Sequence, residues 1–208
     1  MQNKRNLFVT VEGIEGAGKS TAMHFLSEKF KESNIDFIIT REPGGTEIAE
    51  KIRMVLLSQY HEKMSSDTEL LLMFASRAQH LASVIKPALE TGQWVLCDRF
   101  TDASYAYQGG GRGINVERIA QLENWVQGDL RPDVTLLMDV PVEVGMSRVQ
   151  SRGAKDRFEE ERLEFFNRIR QTYLMLAKQN PHRYVVIDSS GTLEQVTQQL
   201  ENFVKQII

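Results

Sequence analysis

The segment "GIEGAGKST", residues 13–21, constrains this chain more than any other. It matches G-x-x-x-x-G-K-[ST], with Gly13, Gly18, Lys19 and Ser20 at the fixed positions. Glycines let the backbone curl so that successive N–H groups point inward, and a helix N-terminus adds positive potential. Lys19 supplies a full charge, and the Ser20 hydroxyl is a ligand for Mg2+. Such a loop cradles phosphate when it joins a strand to a helix, and the flanks comply. "LFVTVEG" before it is apolar and β-branched, while "KSTAMHFLSEKFKES" after it places Ala22, Phe25, Leu26 and Phe30 at helical spacing. One residue is out of character: Glu15 puts an anion inside an anion cradle.

Strand and helix patterns alternate through the rest of the chain. "DFIIT" (36–40), "WVLCDR" (94–99), "DVTLLMDV" (133–140) and "YVVID" (184–188) read as further strands, and the two middle runs are apolar enough to be buried on both faces. Helices are predicted over 46–58 and 192–207. A longer one starts at Ser66, with Glu69 in capping-box spacing, and bends or ends near Pro87. This order predicts a doubly wound α/β fold, a five-stranded parallel sheet with helices on both faces, in one domain spanning 1–208. Ligands of such sheets gather beyond the C-terminal strand ends. That rule marks Glu12 to Ser20, Arg41, Asp98, Arg99 and the loop after Asp188. The apolar face of the C-terminal helix suits core packing and dimerisation equally.

Composition removes several classes of function. The chain has 208 residues and a net charge of −3 with dispersed basic residues, which is no footprint for nucleic acid or an anionic membrane. Cys97 is the single cysteine, so neither an intramolecular disulfide nor the usual zinc spacing is available, and inside "WVLCD" it reads as a small buried hydrophobe. His24, His61, His80 and His182 are scattered and suggest no metal cluster or catalytic triad. The first residues hold too short an apolar run for a signal peptide, and no segment approaches a membrane span, so a soluble cytoplasmic protein is expected. There is no N-K-x-D for guanine, the one D-x-x-G ("DSSG", 188–191) falls at the last strand, and the H-R-D and D-F-G elements of protein kinases are absent. Arginine is what the chain does have: Arg41, Arg53, Arg77, Arg99, Arg148, Arg152 and Arg157, at strand ends and in one polar segment. Phosphoryl transfer needs positive charge around the moving group more than covalent help.

Taken in order, "EGIEGAGKST", "TREPGGT", "SRAQHL", "CDRF", "SYAYQGGGRGI" and "RPDVTLLMDV" resemble bacterial thymidylate kinase over nearly the whole chain. The resemblance implies a P-loop nucleoside monophosphate kinase fold, transfer of the ATP γ-phosphate to dTMP with Mg2+, and a homodimer. It implies that Gly13, Lys19 and the backbone of Gly16, Ala17, Gly18, Ser20 and Thr21 hold the ATP phosphates, that Ser20 and Asp98 serve the metal, and that Arg99 clamps the phosphates. On the acceptor side it places Arg53 at the dTMP phosphate and Arg77 at the thymine carbonyl edge. Ser104 and Gln108 then lie near the base, and the Glu15 carboxylate lies at the 3′-hydroxyl. Tyr105 and Tyr107 either wall the sugar or pack. Where the family carries an aromatic ring over thymine, this chain has Met73; either Met73 covers the base or its neighbour Phe74, about 100° around the helix, takes over. Some relatives carry an arginine directly after the loop acid, where this chain has Gly16. The charge is then expected from a mobile lid at about 148–161, with Arg152 and Arg157 as arginine fingers and Arg148 near the adenine side. Rivals are another small-molecule kinase of the same architecture and a regulatory module that binds ATP without transferring it. Residues 73–77 and 104–108 discriminate among them.

Overall fold

Five strands, β1 (Phe8–Glu12), β2 (Phe37–Arg41), β3 (Trp94–Asp98), β4 (Val134–Asp139) and β5 (Tyr184–Asp188), lie parallel in the order β2-β3-β1-β4-β5. The structure is a computed structural model that describes residues 6–150, 157, 158 and 161–208. Sequence pattern and sheet agree: β1 is buried along its whole length and β3 along all but its last residue, as two-sided burial of apolar runs requires. Alternation then divides the residues between two layers. Val9, Val11 and Leu96 share a core with Ala22, Leu26 and Phe30 of α1 (Lys19–Glu32), while Phe8, Val95 and Cys97 pack with Leu81, Ile85 and Ala88. Burial pushes the Cys97 thiol up, which keeps it an unreactive thiol.

The registers position the site. Val11 lies opposite Asp98, so the loop that leaves β1 and the turn that leaves β3 emerge side by side in the middle of the sheet. The helix after β2, α2 (Glu47–Leu57), is capped by Thr46, whose hydroxyl accepts from the Ala49 N–H. The next helix, α3 (Ser66–His80), corrects an expectation. Its cap is Ser65, which accepts from the Thr68 N–H, and Glu69 turns into the protein instead of closing a capping box. Beyond His80 the backbone widens into a π-helical turn, Leu81–Ile85, before α4 (Lys86–Glu90), in whose first turn Pro87 sits. The proline lacks an N–H and its ring would crowd the Ser83 carbonyl, so the helix loosens ahead of it rather than ending on it.

After β3 come α5 (Thr101–Ser104) and a second π-helical stretch, Tyr105–Gly111, then α6 (Val116–Gln127). The chain continues with α7 (Val142–Gln150) after β4, α8 (Leu163–Gln179) before β5, and α9 (Leu193–Ile207) at the end. The apolar face of α9 buries Val196, Leu200 and Phe203 in the main core, so packing accounts for it. Among the described residues no helix is long and apolar enough to cross a membrane.

Candidate active site

Backbone conformation makes the loop after β1. Gly13, Gly16 and Gly18 have φ of 138°, 72° and 87°, a region that residues with a Cβ rarely enter. Gly18 caps α1 with no side-chain hydrogen bond, whereas α2, α3, α6 and α9 each receive one. The first N–H groups of α1 are therefore open to an anion. Behind the loop α7 approaches closely: a Cβ on Gly16 would stand 2.0 Å from the Gly145 carbonyl oxygen, so this conformation has no room for the arginine that some relatives carry there. Arg148 donates to the Gly16 and Ser189 carbonyls, tying the loop to the segment after β5. The Lys19 ammonium donates to the Gly13 and Ile14 carbonyls at 3.1 and 2.8 Å. Burial lowers it to about 8, as does the charge of Arg99 nearby, against the pull of Asp98, Glu15 and Glu12.

A cavity of about 290 Å³ opens from this loop. It is lined by Glu15, Gly16, Lys19 and Ser20 of the loop and the start of α1, by Asp98 and Arg99 at the end of β3, and by Arg53, Met73, Arg77, Ser104 and Gln108. Thus most residues singled out in the sequence meet around one space. Glu15 turns its carboxylate to Arg99 Nη2 (2.8 Å) and to the Tyr107 hydroxyl, which donates to it at 2.6 Å. Arg99 is itself held by its backbone: its φ is +66°, its N–H donates to the Val11 carbonyl, and the next N–H, of Phe100, donates to Glu12 Oε1 at 2.7 Å. The other Glu12 oxygen accepts from the Tyr173 hydroxyl at 2.7 Å. Burial raises Glu12 to about 8, helped by Asp102 and opposed by Arg99.

Three buried polar atoms on the cavity residues have no hydrogen-bond partner among the described residues: Asp98 Oδ1, Arg77 Nη1 and Gln108 Oε1. Unsatisfied buried groups are uncommon in folded proteins, and all three belong to side chains that line this cavity. Asp98 Oδ1, with the Ser20 hydroxyl on the same cavity, offers the hard oxygen donors that suit Mg2+. Among the described residues there is no group of three or more His, Cys, Asp or Glu that could hold a metal ion. The Arg77 guanidinium lies between the rings of Phe74 and Phe100, 4.6 and 5.2 Å from their centroids. Its Nη2 donates to the Phe100 carbonyl and to Ser104 Oγ, both at 3.1 Å.

The structure separates alternatives that the sequence left open and places Arg41 and Arg157 off this cavity. Met73 lines the cavity, but Phe74 is buried with Leu70, Ile114 and Ile119 behind it; one step of helical rotation separates the two. Tyr105 points away from the cavity and donates to Glu123, while Tyr107 points in. Arg41 is held in a two-pronged pair by Glu50 and does not reach the cavity. Arg157 stands apart from the loop, paired at 2.8 Å with Glu69, a carboxylate only 1% exposed that also receives Gln108 and Arg112. A buried acid at that position attracts whatever cations are in reach. Arg157 thereby lines a second cavity, of about 480 Å³, with Arg112, Glu161 and Arg168. Arg152 and most of the expected lid lie outside the described residues. Sequence reasoning missed Glu42, Phe100 and Phe158 as lining residues, although Glu42 and Phe100 sit inside motifs it had quoted, "REPGG" and "CDRF".

A cavity lined by a phosphate loop together with Arg77 and Gln108 agrees with the comparisons. The family model described as "Thymidylate kinase" matches residues 11–200. The chain belongs to the thymidylate kinase family. It is 56% identical over 202 residues to the thymidylate kinase of Ectopseudomonas mendocina, covering 97% of this chain and 96% of the relative. It is 55% identical, with the same coverage, to that of Pseudomonas fluorescens strain Pf-5. Among solved structures, the thymidylate kinase of Ehrlichia chaffeensis superposes with a TM-score of 0.77 at 35% identity, over 98% of this chain and 99% of the other.

Proposed function

We propose that this member of the family transfers the γ-phosphate of ATP to dTMP, giving dTDP and ADP. The observation that carries it is that the cavity reached by the phosphate loop is also lined by Arg77 and Gln108, which hold an unpartnered buried donor, Nη1, and an unpartnered buried acceptor, Oε1. Thymine presents the complement, a carbonyl beside an N–H; cytosine presents an amino group beside a bare nitrogen and would leave both mismatched.

The acceptor phosphate has a second pKa of about 6 and is mostly dianionic at pH 7, so no side chain need remove a proton. What must be overcome is repulsion between two polyanions. The loop N–H groups and Lys19 hold the ATP phosphates, Arg99 stands between the substrates, and Arg53 meets the acceptor phosphate. Glu15, held by Arg99 and Tyr107, accepts from the sugar hydroxyl and fixes the distance between acceptor and loop. Ser20 and Asp98 would hold Mg2+, which would supply charge neutralisation. Arg152 in the lid at 148–161 is assigned to the transferring phosphate on sequence grounds, and Arg148 to the adenine side. Leu71, Val116 and Trp125 stand exposed on α3 and α6 and support a homodimer through those helices, which sedimentation would check. A single-domain cytoplasmic enzyme without nucleic-acid or membrane partners completes the proposal.

A coupled ATP-consumption assay over a panel of nucleoside monophosphates tests it. The expected order has dTMP first and dCMP, dAMP and dGMP far behind; equal turnover of dTMP and dCMP would refute the base assignment.

A further inference from the structure

The end of α3 is stitched to the segment that leaves β2. Gly44 donates to Ser76 Oγ at 3.2 Å, and Arg77 Nε donates to Glu42 Oε2 at 2.8 Å. The other Glu42 oxygen, Oε1, lies 3.0 Å from His80 Nδ1, and His80 Nε2 lies 2.6 Å from Thr40 Oγ1. All four members of this chain of contacts are buried, His80 completely. A carboxylate can only accept, so the imidazole proton facing Glu42 is on Nδ1, and the Thr40 hydroxyl serves the opposite nitrogen. The ring has no slack: a Cβ on Gly45, whose φ is +85°, would stand 2.6 Å from His80 Nε2 and 2.7 Å from Thr40 Oγ1.

A guanidinium is planar, so once Nε and Nη2 are fixed, Nη1 has one direction left. Glu42 fixes Nε, and it can do so steadily because both of its oxygens are engaged. With Oε1 released, the carboxylate can swivel about its broad terminal torsion and take Arg77 with it. We propose that His80 is a positioning residue for the acceptor base: by gripping Glu42 it aims Arg77 Nη1, and so sets affinity and base selectivity without touching the nucleotide. This rests on the base-recognition role given to Arg77 above.

Four variants test it. His80→Leu removes the donor, His80→Asn returns an N–H near the Nδ1 position, Thr40→Val keeps its residue's shape without the hydroxyl, and Arg77→Ala probes the underlying role. His80→Leu is expected to raise KM for dTMP about tenfold, the scale of one lost hydrogen bond to a buried charge. KM for ATP and kcat should stay within about twofold, and the kcat/KM preference for dTMP over dCMP should fall. His80→Asn should recover most of both losses, and Thr40→Val should give a smaller shift in the same direction. A structural role alone would move the melting temperature, kcat and both KM values together, with no rescue by asparagine and no change in base preference. If His80→Leu folds poorly, Thr40→Val and His80→Asn decide by the same split between dTMP and ATP. Should Arg77→Ala weaken dTMP while the His80 and Thr40 variants leave its KM unchanged, the inference is overturned and the site stands. Should Arg77→Ala itself leave dTMP binding unchanged, both fall.

Discussion

Replacing Gly145 with alanine should separate stability from activity. Gly145 lies in α7 without an unusual φ, and a methyl group there would stand 2.7 Å from the Glu15 carbonyl oxygen and 3.3 Å from Ile14 Cδ1 and Val140 Cγ1. The first distance is roughly 0.5 Å inside ordinary contact, so the phosphate loop or α7 must move by about that much. Overpacking of this kind costs about 1–3 kcal/mol, while alanine in place of a helical glycine returns about 1 kcal/mol. The net change is about 0–2 kcal/mol, a fall in melting temperature of at most about 8 °C for a chain of this size. Activity is more exposed. The atom displaced belongs to the residue between the two substrates, and a misplacement of about 1 Å costs on the order of a hundredfold, so half of that predicts about a tenfold loss in kcat/KM for ATP. Steady-state kinetics on the folded variant, with its melting curve measured alongside, would check this. A variant with kcat/KM for ATP within twofold of the parent would show that the loop adapts freely and that its close packing on α7 does not set its geometry.

Two pH effects follow from the buried charges. Lys19 is held at about 8, so kcat/KM for ATP should fall about tenfold per unit above that pH as the free enzyme loses the charge, while kcat, measured with phosphates keeping the ammonium protonated, stays level; a flat kcat/KM through pH 9.5 would contradict it. Glu12 is raised from 4.5 to about 8, so between those values the native state binds more protons than the unfolded one. Its contribution to stability is therefore greatest below about 4.5 and gone above about 8, and urea midpoints for Glu12→Gln should vary less over pH 5–8 than those of the parent.

The loop and sheet were legible because their signals are local. G-x-x-x-x-G-K-S needs only its own backbone, and apolar runs closed by charges locate the ends of β3 and β4. Met73 and Phe74 could not be separated in the sequence, since either satisfies the helical pattern and only the packing of α3 against α6 decides which faces the cavity. Glu69 misled for a related reason. Its spacing from Ser66 imitates a cap, while its partners Gln108, Arg112 and Arg157 lie about forty or more residues away along the chain. Arg157 was assigned to the lid by resemblance, and a pairing over such separations leaves no pattern in the sequence. The Glu42–His80 contact was hidden in the same way.

The π-helical stretch at Tyr105–Gly111 gives this pocket an unusual dependence on residue count. A wide turn of this kind holds one residue more than an α-helical turn would, and Gly110 and Gly111 pack closely against Thr172 and Phe165 of α8. Removing one residue would return the segment to α-helical pitch and swing Gln108 about 100° around the axis, away from Arg77. Acceptor recognition would then be lost by a change in chain length, with every side chain that lines the cavity still encoded.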